Sequence, residues 1–112
     1  MRRGEIWWAD FGRPFGSEPG YRRPAVIVQG DPFNKSGIGT ILLVPLSKNV
    51  DWAGAPGNVL CRPKDTGLRR PSVANVSQLT VADRGRLAER IGSLPRAVMR
   101  QVDDGLRLVL CL

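Results

Sequence analysis

Short apolar runs separated by glycine- and proline-rich stretches fill most of this chain, and a helical period replaces them only at the end. Residues 4–11 (GEIWWADF) read as an aromatic-rich strand, broken afterwards by Gly12 and Pro14. Residues 12–22 carry Gly12, Pro14, Gly16, Ser17, Pro19 and Gly20, the composition of a long loop. Residues 24–29 (PAVIVQ) form a continuous apolar run, as expected of a strand buried on both faces. Residues 30–39 are turn-rich, with Asp31 placed to cap a single helical turn. Residues 40–46 (TILLVPL) predict a third strand whose end Pro45 puts at an edge or bulge. Residues 57–62 (GNVLCR) predict a fourth, and residues 72–80 (SVANVSQLT) a fifth. A brief helical turn over 83–89 then leads to a small strand near 90–92.

The last segment has a different spacing. Ser93 is placed to cap a helix and Pro95 to start it, where a missing N–H does no harm. Leu94, Val98, Val102, Leu106 and Val109 recur at intervals of four or three, one face of that helix. Arg100 with Asp104, and Asp103 with Arg107, are i,i+4 pairs of opposite charge, each worth about 0.2–0.5 kcal/mol. Gly105 sits inside the helix at about 1 kcal/mol disadvantage to alanine, with no local reason for it.

The connections between the first five strands are too short for crossover helices, so the sheet is expected to be antiparallel. A mainly β fold follows: a strongly curved sheet or small barrel, closed by a C-terminal helix, as one domain over residues 1–112.

Composition narrows the chemistry. With no histidine in 112 residues, histidine acid–base catalysis is excluded and a zinc site has almost no ligands. Cys61 and Cys111 form no metal motif and read as small buried hydrophobes. No apolar run approaches the ~18–20 residues that span a bilayer, and the basic start (Met1, Arg2, Arg3) lacks a signal peptide's apolar stretch, so the cytoplasm is the expected location. Seventeen Lys+Arg against ten Asp+Glu give a net charge of +7, which points to a polyanionic partner, nucleic acid first.

One stretch concentrates candidate chemistry. In Gly16-Ser17-Glu18-Pro19-Gly20-Tyr21-Arg22-Arg23-Pro24, a glycine-rich loop carrying a carboxylate and two guanidinium groups enters a buried strand. A strand holds Arg23 rigidly, and arginine there suits bidentate phosphate binding. The same composition also suits a solvated loop with Glu18 paired to an arginine. Trp7 and Trp8, facing opposite ways in a strand, suggest core or dimer packing, and loop-borne Trp52 is the better candidate for stacking a base.

Gly4-Glu5-Ile6-Trp7 with Asp10, Gly16-Ser17-Glu18, Arg23-Pro24-Ala25-Val26 and Asn34 together resemble the N-terminal signature of the MazF/PemK family. The resemblance continues through Val44-Pro45-Leu46-Ser47 and Ser77-Gln78-Leu79 and spans essentially the whole chain. It implies a curved, SH3-like antiparallel sheet with a C-terminal helix, assembled as a homodimer. It implies a growth-inhibiting toxin of a toxin–antitoxin pair, a sequence-specific endoribonuclease that cuts single-stranded RNA at short motifs without metal or other cofactor. The products would carry 2′,3′-cyclic phosphate and 5′-hydroxyl ends, and a cognate MazE-like antitoxin with an acidic tail would block the RNA groove. By the same resemblance Arg23 is the catalytic arginine, Ser47 stands where a catalytic hydroxyl is expected, and Glu18 matches the loop glutamate. Gln78 matches a glutamine facing RNA. Arg22, Lys48, Arg69, Arg70 and Trp52 are the expected flanking RNA contacts. The alternative is a non-enzymatic toxin of the same fold that inhibits a protein such as DNA gyrase, which would need neither Arg23 nor Ser47.

Overall fold

Every strand pairing in the computed structural model, which describes residues 1–112, is antiparallel. The strands are β1 (Glu5–Asp10), β2 (Arg22–Ile27), β3 (Thr40–Ser47), β4 (Val59–Cys61), β5 (Ser72–Ala74), β6 (Thr80–Asp83) and β7 (Leu87–Ser93). One-turn helices α1 (Asp31–Asn34) and α2 (Pro63–Thr66) lie between them, and α3 (Arg96–Leu110) ends the chain. The sheet runs β4-β5-β3-β2-β1-β7, with β6 also on β3.

Strand β3 creates the curl. Its first half, Thr40 to Leu43, pairs with β6, and its last two residues pair with β5. The expected fifth strand over 72–80 is therefore broken: β5 stops at Ala74, a 3₁₀ turn (Val76–Gln78) follows, and β6 resumes at Thr80. Pro45 sits at the changeover within a central strand rather than at an edge. Its carbonyl accepts from the Asn75 N–H at 3.1 Å, so its nitrogen also faces the gap between β6 and β5, where no ladder bond is lost. The strand near 90–92 is longer than expected, because β7 pairs with β1 from Leu87 to Ser93.

The apolar run of β2 is buried on both faces, as its composition predicts. Val26 joins Ile6, Val44, Leu46 and the helix residues Val98, Met99 and Val102 on one side of the sheet. Ala25 and Ile27 join Ala9, Ile41, Leu43 and Leu87 on the other. Helix α3 lies against the first of these clusters, but its edges differ from expectation. Ser93 is the last residue of β7, opposite Glu5, and Pro95 takes the cap position. Val109 is exposed, while Met99 and Gly105 are buried, because the helix leaves the sheet before its last turn. Asp103 turns away from Arg107 to meet Arg3 (Nη1 to Oδ2 3.2 Å), and Arg107 pairs with Asp104 at 2.9 Å instead. Arg100 is in no ion pair. No helix is long and apolar enough to cross a membrane.

Three carboxylates fasten the frame. Burial acts to raise the Glu5 carboxyl, but the Arg2 N–H, the Trp7 indole N–H, the N-terminal ammonium and Arg90 (3.1 Å) together hold it below its ordinary value. Asp65 is lowered by the backbone N–H of Arg62 at 3.0 Å, and Asp31 by that of Arg3 at 2.8 Å. Because each folded value lies below the unfolded one, the stabilisation is complete above the ordinary carboxylate range of about 4 and is lost as pH falls through the folded values. The urea midpoint is expected to fall between about pH 5 and pH 3. Asp65→Asn should flatten that slope, and an unchanged slope would count against this origin. Burial, then the nearby Asp65, pushes the Cys61 thiol up to about 11, as befits a small buried hydrophobe. Cys111, expected to be buried, is exposed just past the helix end.

Candidate functional site

Arg23 and Ser47 arrive at one place from two neighbouring strands. The β2–β3 register pairs Ala25 with Pro45. Continued by two residues, it sets Arg23 opposite Ser47, and both line a cavity of about 690 Å³ with Trp8, Arg22, Pro24 and Lys48. Arg23 is half-buried, and its Nε donates to the Gly20 carbonyl at 3.2 Å. That bond ties the guanidinium to the preceding loop while its Nη donors stay unused within the protein. Gly20 is required there, since a Cβ would run into the Pro14 ring. The Ser47 hydroxyl accepts from the Asn49 N–H at 3.1 Å, which leaves its own proton free to donate.

A second cavity of about 640 Å³ continues from the first, sharing Trp8, Pro24, Leu46 and Lys48. It adds Arg69 and Arg70, so most of the expected flanking cations line one groove. Arg22 lies over the Trp8 ring, 5.1 Å from its centroid, a cation–π contact that orients the guanidinium. The chain's ion pairs engage the N-terminus, Arg3, Arg62, Arg90 and Arg107, and none involves Arg22, Arg23, Lys48, Arg69 or Arg70. Five positive side chains without acidic partners make a field suited to a phosphodiester backbone. No three His, Cys, Asp or Glu side chains gather into a ligand set.

Three expected residues stand elsewhere. Glu18 lines a separate small cavity with Arg13 and Arg86, and its carboxylate accepts from the Phe15 N–H at 2.9 Å rather than pairing with an arginine. Gln78 donates to the Ser17 carbonyl at 3.0 Å, fastening the loop over 12–21 to the 3₁₀ turn before β6. Trp52 is half exposed on the 3₁₀ turn Val50–Gly54 and lines neither cavity. Conversely, Trp8, read from the sequence as packing, lines both cavities. Glu89 and Arg90 also join the groove, through the β1–β7 pairing. Strand alternation could have separated Trp8 from Trp7, but only the long-range register brings Glu89 beside it.

A curled sheet with a terminal helix and a cationic groove at its strand ends defines a small domain whose charge suits a polyanion. The chain belongs to the PemK-like, MazF-like toxin family of type II toxin–antitoxin systems, whose pattern matches residues 2–110. It is 42% identical over 112 residues to the endoribonuclease MazF6 of Mycobacterium tuberculosis, covering 100% of this chain and 98% of that one. Its fold matches the crystal structure of MazF from Deinococcus radiodurans with a TM-score of 0.83 at 25% identity, over 100% of this chain and 97% of that one. A MazE–MazF structure from the same organism matches with a TM-score of 0.78, again at 25% identity, over 100% and 96%.

Proposed function

We propose that this endoribonuclease toxin cuts single-stranded RNA by turning the substrate's own 2′-hydroxyl on the neighbouring phosphate. The observation that carries this reading is the shared cavity of Arg23 and Ser47, with guanidinium donors unspent and the serine proton free. The 2′-oxygen bonds to phosphorus as the bond from phosphorus to the 5′-oxygen breaks, giving a 2′,3′-cyclic phosphate and a 5′-hydroxyl. Charge builds on the non-bridging oxygens, where two Arg23 N–H groups and the Ser47 O–H donate. DNA lacks the nucleophile and is not cut. Arg22, Lys48, Arg69 and Arg70 hold the flanking phosphates. Gln78 and Trp52 would contact RNA beyond the two cavities, and Trp52 is exposed enough to stack a base.

A guanidinium spreads its positive charge over three nitrogens and carries donors only, so the arginine is a poor proton acceptor. Glu18 is assigned to accept or orient the 2′-OH proton, and this requires the 12–21 loop to re-form over bound RNA, since Glu18 now lines a separate cavity. If Glu18 is the base, Glu18→Gln should lower the single-turnover rate by about 10²–10⁴-fold. An undiminished rate would remove it from the chemistry.

The same cations suit the acidic tail of a MazE-like antitoxin, which would occupy the groove in place of RNA. The exposed Leu42 and Val81, opposite each other across β3 and β6, supply apolar surface for a homodimer. The site of action is the cytoplasm, where such RNA is found. The direct test is a long unstructured RNA in EDTA, with the ends of any fragments analysed. Cyclic-phosphate and 5′-hydroxyl ends are expected at a few sites. An intact RNA would end the nuclease reading in favour of a toxin directed at a protein.

A further inference from the structure

The second cavity holds groups that phosphate binding does not use. Glu89 lies opposite Trp8 in the β1–β7 register, and Trp8 lies opposite Pro24 in β1–β2. Cross-strand partners share a face, so carboxylate, indole and proline ring stand in one row along the cavity. Leu68 and Ile91 give it apolar walls. Ser72, only 4% exposed, also lines it, and its hydroxyl has no hydrogen-bond partner. The Glu89 carboxylate makes no hydrogen bond or ion pair, although the adjacent Arg90 is engaged by Glu5. It is the one carboxylate lining the two joined cavities.

A lone carboxylate beside Lys48, Arg69 and Arg70 weakens the hold on a phosphate backbone unless something in the ligand donates to it. A base can. An indole face, apolar walls and an unspent hydroxyl are the surroundings a nucleobase takes when splayed out of a single strand. We propose that this cavity is a base-selecting subsite that takes a nucleobase bearing an exocyclic amino group and reads it through Glu89. The inference rests on the RNA reading above. Cytosine presents its N4 amino protons to the carboxylate, whereas uracil presents a carbonyl oxygen, lone pair against lone pair.

The test compares fluorescence-anisotropy binding of the decamers rC10 and rU10 at fixed salt, with cut-site sequencing on a random RNA library run in parallel. The wild type should bind rC10 about tenfold more tightly than rU10. Glu89→Gln should bring the ratio near one and redistribute cut sites at one position. Asp104→Asn, which removes an exposed carboxylate on α3 away from the groove, should keep the ratio. Equal wild-type binding of the two decamers, or a ratio that survives Glu89→Gln, overturns the subsite. Cutting without a Glu89-dependent preference sinks the subsite and leaves the nuclease reading standing. A Glu89-dependent binding preference without cutting does the reverse.

Discussion

Arg23→Ala is expected to lower single-turnover RNA cutting by about 10²–10³-fold, with the urea midpoint little changed. In the proposed mechanism the rate falls because the guanidinium, in the cavity it shares with Ser47, would supply the free donors to the reacting phosphate. Stability is spared because the side chain is only half-buried and makes a single internal hydrogen bond, to Gly20. Arg23→Lys sharpens the test. Lysine keeps the charge but loses the planar fork and the Nε tie to the loop, so it should restore only a small part of the rate. Full activity in Arg23→Lys would mean that charge alone suffices and that the two-donor geometry is wrong. Equal activity in Arg23→Ala would place the chemistry on other residues altogether.

The second large effect is on stability. Gly105→Ala should destabilise the fold strongly, although in an isolated helix the same change gains about 1 kcal/mol. Helix α3 crosses the turn at Gly57 so closely that a Cβ on Gly105 would overlap the Gly57 carbonyl, with Val76 about 3.1 Å away on the other side. Backbone cannot swing aside as a side-chain tip can, so the helix itself must move off the core that Val98 and Val102 build. Overpacking typically costs about 1–3 kcal/mol, and a backbone clash stands at the upper end of that range. Urea denaturation should show a clearly lower midpoint for Gly105→Ala. Gly37→Ala, where an added Cβ meets nothing within 4 Å, should match the wild type. Equal midpoints for the two variants would mean that α3 does not pack as described.

Much of this molecule is written in local pattern. The run over 24–29 announces a strand buried on both faces because every position in it but Gln29 is apolar, and the terminal helix announces itself by spacing. The junction of a glycine-rich loop with Arg23 is visible for the same reason, since turn residues and strand residues differ in kind. Ser47 could be placed by resemblance because it ends a strand of plain composition.

What local pattern does not carry is which distant strands meet. Residues 72–80 look like one strand, yet β3 needs two different partners along its length as it bends, so the segment breaks after Ala74. Glu18 sits five residues before Arg23, and only the course of the loop sends its carboxylate to another cavity. Trp8 looks like core until the β1–β7 pairing puts Glu89 beside it and opens the groove across both. Asp103 has an arginine four residues on, but Arg3, one hundred residues away, takes it. The sequence by itself determined the main strands and the terminal helix, the antiparallel class, the basic field and the residue types for phosphate chemistry, because these depend on neighbours within a few positions. Tertiary structure alone decided register, the contents of the groove and the need for Gly105, because those depend on which surfaces come into van der Waals contact once the sheet curls.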